Sequence, residues 1–235
     1  IWFQDGEEAK VIGPVEPDVV ASSINLPRKK LDPIIRRLAA DTPGVELRLG
    51  TKLESLDALP EARLVVAADG ITLDLNGKLL KGPGMGQQTW PAPQLDSVAV
   101  RVEGRRNVTV RNGRIAEFST GVYFVRVTGS LIENVVSQRS RFGLYVHDSD
   151  GNTVRKNIVE ANIYGLHLQN ANDTLVQGNE LVRQTYNSPG GYGIYLFASQ
   201  RNRIVENRIE DNINWGIWFS EARGNLIYHN TVAGN

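Results

Sequence analysis

Apolar and polar residues alternate with a period of two along most of the chain after about residue 63. In one short segment, Ile71, Leu73 and Leu75 alternate with Thr72 and Asp74. Strict alternation over four to eight residues is typical of a β-strand with one buried face. Such segments are rich in β-branched and aromatic residues, and Gly, Asn or Asp bounds them. The pattern therefore predicts many short strands joined at tight corners.

Two short motifs recur with one shared period. A Gly-apolar-variable-apolar motif begins at Gly121, Gly143, Gly165, Gly193 and Gly216. A motif centred on Asn, with apolar flanks, recurs at Asn134, Asn157, Asn179, Asn207 and Asn230, and Asn112 fits one repeat earlier. Self-similarity near 22 residues is the signature of a solenoid. We predict an all-β, right-handed, single-stranded parallel β-helix over 63–235, with stacked Asn side chains and a loop inserted at 185–190.

Residues 1–62 follow a different pattern and form the first of two expected domains. Leu31, Ile34, Ile35 and Leu38 have the spacing of a one-sided helix, and Asp32 suits its start. An alternating stretch at 45–49 predicts one strand after this helix. We expect a small α/β cap that covers the open end of the solenoid.

Alternation along each Gly motif divides its residues into inward and outward positions. The outward column reads Tyr123, Tyr145, His167, Tyr195 and Trp218, and the next outward column reads Val125, His147, Gln169, Phe197 and Ser220. Rings repeated about every 4.8 Å predict a strip that binds sugar faces, with Arg139 beside it. The alternative is that the rings only stabilise neighbouring strands, or that residues 185–190 or 82–94 cover them.

A candidate catalytic group follows one of these strands. His147 and Asp148 are suited to general acid–base chemistry, with Tyr145 as a partner. Arg141 and Arg139 precede the same strand and are candidates for neutralising a uronate carboxylate. The alternative is that Asp148 begins an ordinary polar corner, because Asp, Ser and Gly are common in turns.

Charge and composition narrow the choice of partners. Lys plus Arg and Asp plus Glu both number 26, so we expect neither nucleic acid nor a membrane as partner. The longest apolar runs fall well short of the roughly 18 residues that a membrane span needs. The chain has no Cys, one Met and three His, and we predict no metal site and no cofactor.

The repeats over 63–235 resemble the right-handed parallel β-helix superfamily. Its members include polysaccharide lyases, glycoside hydrolases, mannuronan C5-epimerases and periplasmic proteins linked to copper-site maturation. The resemblance implies a secreted or periplasmic protein that acts on a polysaccharide, as a lyase or epimerase on a uronate-containing glycan. His147 and Asp148 match the second half of the epimerases' Asp-Pro-His-Asp motif, whereas Tyr145 and Val146 stand where Asp-Pro would be.

Residues 28–70 also resemble a segment of flavin-dependent monooxygenases, through stretches 31–39, 43–47 and 62–70. The strand-associated G-x-G-x-x-G that would cradle a dinucleotide is missing, and solenoid sequence follows Gly70 directly. We therefore expect no flavin.

Two further hypotheses remain open. The chain is either an enzyme or a non-catalytic module that binds glycans or proteins or serves as a scaffold. A third hypothesis is that it is a fragment or a non-natural chain, because the flavoprotein-like stretch runs directly into the solenoid and residues 231–235 end partway through a coil. An uncovered edge of this kind predicts end-to-end self-association.

Overall fold

The computed structural model describes residues 64–66, 68–84, 97–185 and 190–235. The expected cap at 1–62, most of the 82–94 segment and residues 186–189 of the inserted loop lie outside the described residues. Within the described ranges the chain forms nineteen β-strands and no helix. No helix long and apolar enough to cross a bilayer occurs in those same ranges.

The strands are short, between three and eight residues. In chain order they are β1 (Leu64–Val66), β2 (Thr72–Asp74), β3 (Leu79–Lys81), β4 (Val98–Glu103), β5 (Thr109–Ala116), β6 (Thr120–Val125), β7 (Leu131–Gln138), β8 (Phe142–His147), β9 (Thr153–Arg155), β10 (Ile158–Glu160), β11 (Tyr164–Gln169), β12 (Leu175–Gln177), β13 (Glu180–Val182), β14 (Tyr192–Phe197), β15 (Arg203–Val205), β16 (Arg208–Glu210), β17 (Trp215–Ser220), β18 (Leu226–Tyr228) and β19 (Thr231–Ala233).

Every strand pairs in parallel with the equivalent strand of the next coil. Sheet A has seven strands in the order β1-β4-β6-β8-β11-β14-β17, and sheet B contains the other twelve. The register is constant: Leu144 pairs with Leu166, and Leu166 pairs with Ile194. The predicted parallel β-helix is therefore confirmed, and from β4 onward the coils repeat every 22 to 28 residues as the motifs indicate.

The inward positions of sheet A fill a continuous apolar core. Val122, Phe124, Leu144 and Val146 are fully buried, and Leu166, Leu168, Ile194 and Leu196 continue the same two columns with at most 1% exposure. In the last coil Ile217 is partly buried against this core, and Phe219 is 38% exposed. The predicted inward positions are confirmed through β14.

The glycine of each repeat lies where two coils approach closely. A Cβ added at Gly165 would lie 2.4 Å from the carbonyl oxygen of Gly193, and one at Gly121 would lie 2.4 Å from that of Gly143. These separations are shorter than a Cβ tolerates, so the position excludes every side chain. The Gly period is thus a steric requirement of coil stacking.

A ladder of buried amides runs along the solenoid between its coils. The Asn157 Nδ2 donates to Asn179 Oδ1 at 2.9 Å, and Asn179 Nδ2 donates to Asn207 Oδ1 at 2.9 Å. Each Oδ1 also accepts a backbone N–H, as Asn179 does from Asn157 at 3.0 Å. The Nδ2 of Asn179 in turn donates to the Val154 carbonyl at 2.9 Å. The side chains therefore satisfy the buried corner backbone where strands do not pair.

Two more ladders follow the same scheme at the other corners. One contains Ser130, Asn152, Thr174, Asn202 and Asn225, and the other contains Ser140, Asn162, Gln184, Asn212 and Asn235. Sequence analysis missed both, because Ser, Thr and Gln replace Asn at some levels and break the visible repeat.

The expected ladder positions of Asn134 and Asn112 are wrong by one residue, since Val135 and Gly113 pair at the buried position. Val135 takes the buried position, and its N–H donates to Asn157 Oδ1 at 2.9 Å. Asn134 is instead exposed, with φ of 52°, and its Nδ2 lies 3.4 Å from Asn112 Oδ1. The reason is that β7 continues without a break through this corner as an eight-residue strand. Val135 and Asn157 are 22 residues apart, which agrees with the period of the repeat. Asn suits position 134 because it tolerates the left-handed region of backbone conformation.

Replacing Asn179 with Ala should lower the free energy of unfolding by about 2–4 kcal/mol, because the backbone N–H of Asn157 and the carbonyl of Val154 lose buried partners. Urea unfolding followed by circular dichroism measures this change. The matched control is Asn134→Gly, which alters the exposed Asn of the same sequence motif and should change stability by less than about 0.5 kcal/mol. Equal losses in the two variants would contradict the ladder.

Candidate functional site

The outer face of sheet A presents three neighbouring columns of side chains. The stacked column contains Arg101, Tyr123, Tyr145, His167, Tyr195 and Trp218, and the rim column contains Glu103, Val125, His147, Gln169, Phe197 and Ser220. The corner column follows each strand end and contains Gly104, Arg126, Asp148, Asn170, Ala198 and Glu221, all with positive φ. Parallel pairing in register brings residues 22 to 28 positions apart into contact along each column.

The stacked column is a continuous pile of rings, as its spacing predicts. The ring centroids of Tyr145 and His167 are 4.8 Å apart with 5° between their planes, and those of His167 and Tyr195 are 4.7 Å apart with 18° between planes. Tyr123 and Trp218 continue the pile at centroid distances of 4.9 and 5.3 Å. Each ring face thus contacts another ring, which stabilises the coil stack by offset stacking.

Most of this column is buried. Tyr123, Tyr145 and His167 are only 4%, 5% and 7% exposed, whereas Tyr195 and Trp218 are half-buried. Phe142 packs beside the column, with its ring centroid 4.9 Å from Tyr145. The predicted sugar-binding role of the column stays a prediction, and ring area open to a ligand lies at Tyr195 and Trp218.

Polar atoms of the stacked column bond diagonally to the rim column of the next coil. The hydroxyl of Tyr123 lies 3.0 Å from His147 Nδ1, and that of Tyr145 donates to Gln169 Oε1 at 2.6 Å. Tyr195 forms a side-chain hydrogen bond with Ser220 in the same way. A tyrosine in this column therefore needs a polar rim residue one coil later.

His167 breaks this diagonal pattern because its rim neighbour is Phe197. Both ring nitrogens of His167 are buried and have no hydrogen-bond partner. Burial lowers the pKa of His167 to about 3, with nearby His147 as a second cause. The imidazole is therefore neutral at ordinary pH and serves as one more ring in the stack, at the cost of an unpaired N–H.

His147 is the partly exposed centre of the polar region, with 24% of its side chain open to solvent. Its Nδ1 pairs with the Tyr123 hydroxyl, and its Nε2 lies 3.4 Å from Asp148 Oδ1. Asn170 Nδ2 donates to the same Asp148 oxygen at 2.9 Å. Both imidazole nitrogens thus have partners within the protein.

Burial raises the pKa of the Tyr123 phenol, and the Arg101 guanidinium opposes this increase. The carboxylates of Asp148 and Glu103 raise the pKa of Tyr123 further, and Arg126 opposes them. Tyr123 is therefore held as the neutral phenol beside His147. The outward column predicts substrate binding for Tyr123, but the contact with His147 one coil later is not visible in the sequence pattern.

The predicted catalytic set does not assemble as a whole. The Tyr145 hydroxyl bonds to Gln169, and burial raises the pKa of Tyr145. Arg141 precedes β8 and His147 ends it, which separates them by roughly 20 Å at about 3.3 Å per residue. The structure brings His147 and Asp148 together with Tyr123, and the Tyr145 ring stacks on the His147 ring at 5.5 Å between centroids while its hydroxyl bonds elsewhere. Arg141 alone of the predicted set lies at the other end of the strand.

The two predicted arginines have other surroundings. The Arg141 guanidinium lies 5.6 Å from the centroid of the Phe142 ring and is 8% exposed. Arg139 is exposed and pairs with Glu117, with 3.3 Å between Nη2 and Oε1. Neither lies at the end of β8 that carries His147.

Two other arginines flank the His147 region, and sequence analysis did not select them. The Arg101 guanidinium lies 5.4 Å from the centroid of the Tyr123 ring and bonds to Glu103 Oε2 through Nε at 3.0 Å and Nη2 at 2.6 Å. Arg126 Nη2 pairs with the other oxygen of Glu103. The hydrogen bond from Arg101 is the largest cause of a lowered pKa for Glu103. Subtracting one 22-residue period from Tyr123 would have identified Arg101.

Replacing His167 with Phe should stabilise the protein by about 1–2 kcal/mol at neutral pH, because the ring stack is kept and the unpaired buried nitrogens are removed. The wild-type protein should also lose stability as the pH falls from 6.5 toward 3, since the unfolded chain binds a proton there that the folded His167 does not. This group contributes a slope of up to about 1.4 kcal/mol per pH unit, which His167→Phe should lack. Urea unfolding at several pH values measures both effects.

Tyr145→Phe is the matched control, because it removes a hydroxyl that does have a partner and should destabilise by about 1 kcal/mol. A His167→Phe variant less stable than the wild type at neutral pH, or one with the same acid slope, would contradict this account of His167.

Solved structures with the same architecture resemble this chain at low sequence identity. A double mutant of the periplasmic alginate epimerase AlgG matches with a TM-score of 0.52 and 11% identity, over 73% of this chain and 47% of that one. The A-module of the Azotobacter vinelandii mannuronan C-5 epimerase AlgE6 matches with a TM-score of 0.40 and 16% identity, over 72% of this chain and 59% of that one. The first likeness shows the fold alone, and the chain spans less than half of that protein.

No curated protein sequence matches the chain. The sequence model of one family does match, over residues 94–235 and hence over more than half of the chain. Its description is periplasmic copper-binding protein (NosD). The matched region begins just before β4 and covers the coils that carry the stacked, rim and corner columns. The chain therefore belongs to the NosD family of parallel β-helix proteins.

Proposed function

We propose that this chain is a non-catalytic β-helix module that binds a polysaccharide outside the cytoplasm, along the rim column of sheet A. The periplasmic description of its family supports the location. Four partly exposed residues support the ligand class, and they are defined here as the binding strip: His147, Gln169, Phe197 and Ser220.

The make-up of the binding strip is the observation that carries this proposal. Its side chains are an imidazole, an amide, a phenyl ring and a hydroxyl, one in each of four successive coils. At about 4.8 Å per coil the strip is roughly 14 Å long. Sugars combine apolar C–H faces with hydroxyl groups, which suits a ring beside hydrogen-bonding groups. The half-buried rings of Tyr195 and Trp218 lie directly beside Phe197 and Ser220.

The state of His147 favours binding over catalysis. Tyr123 and Asp148 contact its two nitrogens, so both the N–H and the lone pair of the ring face partners within the protein. The arginines at the same end of the strands are paired with Glu103. A fixed, internally bonded imidazole is a rigid contact surface for a ligand.

Copper, which the family description names, does not fit the ligands on this chain. The sequence has no Cys, one Met and three His, whereas copper sites combine several thiolate, thioether or imidazole ligands. His147 is already bonded, His167 lies between two tyrosine rings, and His229 is exposed at a corner of sheet B. The described ranges contain no group of three His, Cys, Asp or Glu that could hold a metal ion.

Replacing Phe197 with Ala should weaken polysaccharide binding by roughly tenfold or more, because the ring supplies apolar contact area worth more than about 1.4 kcal/mol. Affinity electrophoresis in gels that contain individual polysaccharides identifies a ligand, and calorimetry with its oligosaccharides measures the affinity.

Ile158→Ala is the control, since Ile158 is an exposed apolar residue, 39% accessible, on β10 of sheet B. Its affinity should equal that of the wild type. Absence of binding to every polysaccharide, or equal loss in the two variants, would reject the binding strip.

A second candidate function is a uronate lyase or epimerase, and the contact between Tyr123 and His147 favours it. In such a reaction a base removes the proton next to the uronate carboxyl group, and an acid then protonates the leaving oxygen or the opposite face of the same carbon. A phenol and an imidazole 3.0 Å apart have the groups for these two transfers.

An assay with uronate polysaccharides separates the two candidates. The binding module should form no unsaturated product by absorbance and no epimer signal by proton NMR. Activity in the wild type that falls at least 100-fold in both Tyr123→Phe and His147→Ala would establish the enzyme instead. Gln177→Ala, which alters a polar contact with Glu206 on sheet B, is the control and should match the wild type.

A further inference from the structure

The charges around the binding strip lead to a narrower conclusion about its ligand. We infer that the polysaccharide bound there is neutral and that uronate-rich chains are disfavoured, an inference that rests on the proposed binding function. The charged groups on this part of sheet A are three carboxylates, Glu103, Asp148 and Glu221, and two guanidiniums, Arg101 and Arg126.

One carboxylate, that of Glu103, pairs with both guanidiniums. Glu103 accepts two hydrogen bonds from Arg101 on Oε2 and one from Arg126 on Oε1. Its lowered pKa keeps Glu103 ionised at ordinary pH. To reach the Nε–Nη2 edge of Arg101 in the bidentate geometry that arginine offers to carboxylates, a uronate would have to displace Glu103. Among the described residues of the three columns, both guanidiniums are therefore engaged by Glu103, and an acidic sugar would compete with that carboxylate for them.

The remaining charges near the strip are negative. The carboxylate of Asp148 is 42% exposed beside His147, and the Asn170 amide fixes its orientation. Glu221 is exposed and follows Ser220 at the other end of the strip. Both carboxylates repel an anionic chain laid along the strip, and between them Gln169, Phe197 and Ser220 carry no charge. Neutral sugars meet hydrogen-bonding groups there without this repulsion.

Replacing Glu103 with Gln tests the inference, because it removes the shared carboxylate with little change in shape and releases two guanidiniums. The wild type should bind neutral glucans or mannans, and its affinity should change little between about 0.01 M and about 0.15 M ionic strength. Glu103→Gln should bind polyuronates at least tenfold more tightly than the wild type, and this gain should disappear at the higher ionic strength. Affinity electrophoresis and calorimetry with pectate, alginate, glucan and mannan provide the measurements.

Glu133→Gln is the matched control, because Glu133 forms an equivalent pair with Arg155 on sheet B, with 2.7 Å between Nη2 and Oε2. This variant should bind polyuronates no better than the wild type. Asp148→Asn provides an independent variant that should also raise polyuronate affinity by reducing repulsion beside His147.

The outcomes separate this inference from the function on which it rests. Tight, salt-sensitive binding of polyuronates by the wild type would overturn the inference and leave a polysaccharide-binding module. No gain of polyuronate binding in Glu103→Gln, with a melting curve like that of the wild type, would also overturn it. A wild type that binds neither class of polysaccharide would reject the binding function and the inference together.

Discussion

The rest of the structure depends on buried amides that hydrogen-bond from one coil to the next. A β-helix must bend its backbone at several corners in every coil, and each bend leaves buried N–H and C=O groups without strand partners. In this chain Asn157, Asn179 and Asn207 supply those partners, each accepting from one coil and donating to another. Because the bonds exist only when equivalent corners coincide, they fix the register of the strands between them.

Because the register is fixed, the side chains on the outer face of sheet A are aligned in columns. The columns determine which side chains contact each other. A residue on this face has defined neighbours above, below and along the diagonal. Tyr123 meets His147 and Tyr145 meets Gln169 by the same geometric relation. The relation also explains an apparent defect, since His167 has no partner only because Phe197 occupies the equivalent rim position. Phe197 is also the apolar centre of the binding strip. The same residue therefore leaves the His167 nitrogens without a hydrogen-bond partner and provides the apolar contact surface of the strip.

The fold was readable from the sequence because its constraints recur. Gly165 and its equivalents from Gly121 to Gly216 cannot carry a side chain, and the inward positions of sheet A are apolar, so both patterns recur from β6 to β17. The amide ladders were only partly readable, because Ser130 and Thr174 can fill a position that Asn152 also fills. The ladder position predicted at Asn134 was wrong by one residue, because the sequence alone does not distinguish an exposed Asn with positive φ from a buried Asn of the ladder.

The site was less readable because it depends on side-chain direction and burial. His147 and Asp148 were identified correctly as neighbours, and the column of rings was assigned to the correct face. Arg141 is close to His147 along the chain, but an extended strand separates residues that a helix would bring together. Arg101 and Glu103 were missed because they lie one coil earlier than the motifs, where no glycine marks the repeat.

The ladders have a consequence for how such a protein can change in length. Successive coils present to one another a similar arrangement of side-chain oxygens and backbone N–H groups, with Asn at most levels and Ser or Gln at others. The interaction energy of the solenoid is then close to a sum over adjacent coils, each indifferent to the total number. Duplication or loss of one 22-residue unit would leave every remaining junction intact and would lengthen or shorten the outer face by one level. Selection can thus match the length of a binding surface to the length of a polymeric ligand by changing contacts only at the junction where a coil is gained or lost.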